Sequence, residues 1–142
     1  MWVLNVIFYV VFSIASVAGV RWIGSTAVAD IFVPNLVAIV IALLAINVQT
    51  VAVIAVKLRE IADRKGYKFE ATLGQMKLAI FEQIMLVVLA IIITAISKSS
   101  MTDSKLLMVE LGTFFILYAA LHIFLDISLG LIRALFPSED VV

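Results

Sequence analysis

The 142-residue chain has no cysteine and a single histidine, His122. The first absence removes disulfides, thiolate metal sites and cysteine nucleophiles together. The second rules out a multi-histidine metal centre within one protomer, although symmetric copies would bring several His122 side chains together. Charge is scarce as well: 14% of residues are Asp, Glu, Lys or Arg, against about 25% in an ordinary soluble domain. Ten basic and ten acidic residues balance, so no net positive field recruits nucleic acid. The chain contains no phosphate-binding glycine loop, no G-x-G-x-x-G, no H-E-x-x-H and no G-x-S-x-G. A potassium-type T-V-G-Y-G filter is also missing. Its serines stand at no nucleophile spacing from His122 and Asp126, so the chain reads as a non-enzyme that calls for no cofactor or metal.

What fills the space is apolar. Hydrophobic residues make up 65% of the chain, compared with about 45–50% in soluble domains. A single domain of this size cannot hide that surplus in its own core, so lipid must cover part of it. A membrane-spanning helix needs about 20 mostly apolar residues, and four segments qualify: 2–20, 31–56, 78–97 and 106–136. Trp2 and Trp22 bracket the first, about 30 Å apart at 1.5 Å per residue, the levels at which aromatic belts sit. The small residues Ser16, Val17 and Ala18 suggest a signal-peptide cleavage site, but no positively charged segment precedes them, so this stretch is read as a span.

Orientation follows from Lys and Arg. The 57–77 connection carries Lys57, Arg59, Arg64, Lys65, Lys68 and Lys77, and Arg133 lies near the C-terminal end; the other two connections hold only Arg21, Lys98 and Lys105. Seven against three places both termini and the 57–77 loop in the cytoplasm, on the positive-inside rule. The second helix is expected to continue past the membrane, because residues 57–65 contain no breaker and Leu58, Ile61 and Ala62 share a face. Arg64 and Lys65 followed by Gly66 supply the cations and the left-handed residue that end a helix. The expected fold is therefore an all-α integral membrane protein, one domain over 1–142. It has four transmembrane helices, N-in and C-in, with the second extended into the cytoplasm.

Ionisable groups at membrane depth are costly unless paired or hydrated, which singles out Glu82, His122 and Asp126. His122 and Asp126 stand at i,i+4 on one helix face. Two readings stay open for them: a structural hydrogen bond that orients the ring, or a proton switch. Glu82 either snorkels toward the cytoplasmic headgroups or joins Gln49 and Asp126, at similar depth, in one polar cluster. Glu110 is expected at the outer interface as an entrance charge. On the second helix Asn35, Ala38, Ala42, Ala45, Gln49, Ala52, Val56 and Arg59 recur at spacings of three and four. This small and polar seam is either a packing surface, within one protomer or between protomers, or a pore wall with Asn35 and Gln49 as polar rings. The exposed cations Arg59, Arg64, Lys65 and Lys68 are candidates for docking a soluble cytoplasmic protein.

The long second helix, NLVAIVIALLAINVQTVAVIAVKLREIADRKG, followed by a short basic turn and two further spans, resembles small membrane proteins of bacterial anti-phage systems. Rex-type exclusion proteins and the membrane subunit of Kiwa-type systems share this four-span outline. The resemblance covers the whole chain as architecture and rests on no shared motif. It implies an oligomeric membrane component that conducts ions or senses membrane perturbation beside a soluble partner, and assigns no functional residue. The sequence thus predicts a homo-oligomer that forms or gates a cation or proton pathway, with a non-conducting anchor or sensor as the alternative.

Overall fold

The computed structural model describes residues 2–66, 68–99 and 102–135; the expected end of the fourth span at Phe136 lies outside them. Helices α1 (Trp2–Trp22), α2 (Val33–Lys65), α3 (Glu70–Ser97) and α4 (Asp103–Leu135) account for nearly all of it. All four are long and apolar enough to cross a membrane. A π-helical turn, Val28–Phe32, leads directly into α2. Pro34 explains it: a proline ring collides with the carbonyl four residues back, here that of Asp30, and a widened turn relieves the collision. At its other end α2 stops as the sequence predicts. Gly66 is left-handed at φ 70°, and its N–H donates to the Ala62 carbonyl at 2.8 Å.

Helix fills most of the 57–77 connection: its first part continues α2 as the sequence predicts, and the rest belongs to α3, which starts before the span expected from 78. α2 runs on to Lys65 and α3 begins at Glu70, so only a short turn separates them. Apolar residues on the two extensions hold the hairpin together: Leu58 and Ile54 of α2 and Ile127 of α4 form a buried cluster covered by Phe69, Leu73 and Met76. The extension of α2 is therefore braced by α3 rather than standing free.

α4 is the centre of the bundle and packs against α1, α2 and α3, while α2 also packs along α3. α1 has α4 as its main neighbour and makes no comparable contact with α3. α2 turns Leu36, Val40, Asn47, Ile54 and Leu58 inward, a spacing of four and seven that follows one helix face. The main core joins Leu36 and Val40 to Leu86 and Ala90 of α3 and to Ile116 and Ala120 of α4. Ile93 of α3 packs onto Gly112 of α4, where an added Cβ would lie 2.6 Å from Ile93 Cδ1.

One polar link is sealed in this core. Asn47 Nδ2 donates to Gln83 Oε1 at 2.7 Å, with both residues fully buried. Asn47 Oδ1 and Gln83 Nε2 have no hydrogen-bond partner, so the two amides form one of the two bonds open to a facing pair. Removing one partner strands the other, whereas replacing both by apolar groups removes the cost with the bond. Asn47→Leu alone is expected to lower stability by about 1–2 kcal/mol, and Asn47→Leu with Gln83→Leu to recover most of the loss. Thermal unfolding of the purified chain in detergent checks this; a double variant weaker than either single one contradicts it.

Candidate functional site

Three of the residues singled out in the sequence meet in one place. A cleft of about 360 Å³ opens between α1 and α3 with α4 as its floor, and Glu82, His122 and Asp126 all line it. Its position follows from the packing: α1 leans on α4 and leaves its α3 side uncovered. Glu82 stands on the α3 wall one turn from Leu86, and the same face carries Ala79. His122 and Asp126 project from α4 at i,i+4, with His122 Nε2 3.8 Å from Asp126 Oδ2. The Asp126 side chain is 75% exposed, so the acid lies at the mouth of the cleft.

Asn5 completes the group, and the sequence reading missed it. Its Nδ2 lies 3.3 Å from His122 Nε2. With the Asn5 amide nitrogen donating, Nε2 is the acceptor. The same ring nitrogen faces the Asp126 carboxylate. One ring nitrogen of His122 thus has an α1 amide and a carboxylate of its own helix within reach. Tyr9 packs edge-on against the His122 ring at 5.7 Å between centroids and fixes its position from the α1 side. Among the described residues no three His, Asp or Glu side chains converge as a metal site.

Asn35 and Gln49 are not part of this cleft. All eight seam residues of α2 are exposed, because the helix packs through the opposite face. Gln49 therefore does not join Glu82 and Asp126, and the seam is not a packing surface within one protomer. Asn35 Nδ2 donates to the Ile31 carbonyl of its own helix at 2.8 Å, while Gln49 has no hydrogen-bond partner among the described residues. Arg59, Arg64 and Lys68 are exposed around the α2–α3 turn. Lys65 closes α2 beside them.

The opposite end of the bundle holds a second cleft of about 370 Å³, lined by Thr94, Ser97, Lys98 and Glu110 together with residues around Pro34. Glu110, expected as an exposed entrance charge, is instead paired within the bundle. It is buried at 8% exposure, and Arg21 at the end of α1 reaches it with Nε and Nη2 both 2.8 Å from Oε2. Antiparallel packing of α1 on α4 brings these residues together, a pairing that neither local spacing nor helix periodicity reveals. Between the two clefts the core around Leu86, Ala90, Ile116 and Ala120 is apolar and closed, so no open channel runs through the described residues of one protomer.

No family model matches the chain, and no curated protein or solved structure matches it either.

The Arg21–Glu110 pair has an asymmetric consequence. Its carboxylate is buried and its guanidinium is nearly half exposed. Losing the arginine leaves an unpaired buried charge, whereas losing the carboxylate leaves a cation that water can reach. Arg21→Gln is expected to destabilise the chain by about 1–3 kcal/mol and Glu110→Gln by less. Unfolding midpoints in detergent read the difference, and equal losses, or the reverse order, contradict it.

Proposed function

We propose that this chain is a homo-oligomeric membrane protein that forms or gates a pathway for cations or protons. The cleft holding Asn5, Glu82, His122 and Asp126 is its ion site. The observation that carries the reading is the cleft itself: it gathers two acids and the only histidine from helices of membrane-spanning length, and no Lys or Arg lines it. Fixed negative charge without a cationic neighbour favours a passing cation, and the two partners open to His122 supply a proton-dependent change in the charge of that site. On this reading both termini and the α2–α3 turn face the cytoplasm, in keeping with the distribution of Lys and Arg. The anti-phage setting suggested by the four-span outline is a bacterial inner membrane in which such a pathway discharges ion gradients.

The closed apolar core between the clefts means that passage needs either a shift of α1 against α3 or a lumen between copies. The α2 seam supports copies packing together. Its alanines permit close backbone approach, and Gln49 has a free amide that would otherwise face hydrocarbon. In proteoliposomes the parent chain is expected to pass protons or monovalent cations, and Asp126→Asn or Glu82→Gln to cut the flux about tenfold or more. Flux unchanged in both variants overturns the assignment. The absence of native cysteine makes the oligomer directly testable. Ala45→Cys is expected to cross-link copies under mild oxidation and Ile92→Cys, on the outside of α3, to remain monomeric; the opposite pattern contradicts pairing through α2.

A second reading, a non-conducting anchor for a soluble protein, draws on the exposed Arg59, Arg64 and Lys68 at the α2–α3 turn. It requires a cytoplasmic protein that is retained by the parent chain and lost when these three charges are reversed.

A further inference from the structure

The cleft between α1, α3 and α4 is more than a meeting of charges. Its volume of about 360 Å³ falls within the range of small-molecule sites, about 300–1,000 Å³. Its walls are aromatic and apolar. Tyr9 packs edge-on against Phe115 at 5.8 Å, Phe81 stands 56% exposed at the rim, and Met85 lies one turn beyond it. The carboxylates of Glu82 and Asp126 come from the two helices that form wall and floor.

These features select among cations. A bare metal ion demands several oxygens at short fixed distances, and no such group exists among the described residues. A small hydrated ion gains nothing from aromatic walls. A lipophilic organic cation uses every part of the cleft. Its rings bury against Tyr9, Phe81 and Phe115, its delocalised charge is weakly hydrated and faces the negative side of those rings, and the carboxylates supply the balancing charge. On the membrane reading the exposed side of the cleft opens to lipid, where such molecules concentrate.

We propose that this cleft binds lipophilic organic cations, with Glu82 and Asp126 as charge partners and Tyr9, Phe81 and Phe115 as aromatic walls. This deepens the ion site of the proposed function and rests on that reading for the cleft's role in cation passage.

The test is calorimetric titration of the full chain in detergent with tetraphenylphosphonium and, as a probe of the same shape and opposite charge, tetraphenylborate, each against a detergent blank. Saturable binding of the phosphonium is expected, weakened about tenfold by Glu82→Gln with Asp126→Asn. Phe81→Ala, at an exposed rim position that folding does not depend on, is expected to weaken it about threefold. Tetraphenylborate should not saturate a site. The proposal is overturned if the phosphonium binds the double variant as tightly as the parent, or if the borate binds equally well, which identifies a trough for acyl chains. Should the double variant fail to fold, Phe81→Ala and the borate comparison decide: unchanged phosphonium affinity in the first, or equal binding of the two ions, overturns it. A chain that binds the phosphonium but passes no cations in vesicles refutes the pathway and keeps this site. Flux that needs Asp126 without phosphonium binding refutes the site and keeps the pathway.

Discussion

Apolar helices in hydrocarbon gain little by touching, because lipid tails are as good a neighbour for leucine as another helix is. On the membrane reading, what fixes this bundle is a short set of polar contacts between helices. α1 is tied to α4 at three levels: Asn5 with His122, Ser16 Oγ with Tyr118 Oη at 2.7 Å, and Arg21 with Glu110. α2 is tied to α3 by Asn47 and Gln83. Steric fit completes the job, with Gly112 of α4 admitting the Ile93 side chain of α3.

The placement of these ties creates the site. Because α1 is held along α4 and not against α3, a cleft remains on its open side, and one of the ties forms part of the cleft wall. Asn5–His122 is both a packing contact and part of the cleft lining. A change at His122 therefore reaches the joint between α1 and α4, while Arg21–Glu110 anchors the far end of the same helix.

Much of the architecture was legible in the chain. Four apolar runs of spanning length, the Gly66 stop and the shared face of His122 and Asp126 all follow from local spacing, and the structure repeats them. Facing was not legible. In a soluble protein the inside of a helix is marked by apolar residues, but here both faces of α2 are apolar, so the Asn35–Arg59 seam looked equally suited to the inside and the outside. The charges at 57–77 suggested a loop because cations mark the membrane boundary, yet they leave helix propensity intact, and α3 simply begins earlier. Asn5, Gln83 and the burial of Glu110 were missed because their partners stand far away in sequence. One signal was present all the same: an amide in an apolar helix is a candidate for a partner, and Asn5, Asn47 and Gln83 each have one while Gln49 has none among the described residues.

The central claim is that water reaches the acids and His122 in the cleft between α1 and α3 at membrane depth. Met85 and Val88 test it as a matched pair. Both sit on α3 with nearly equal exposure, 43% and 45%, but Met85 lines the cleft and Val88 faces away. A thiol reacts with a membrane-impermeant methanethiosulfonate only where water lets it ionise. In sealed vesicles, Met85→Cys labelled and Val88→Cys silent is the result the account predicts; both silent, or both labelled alike, would contradict it.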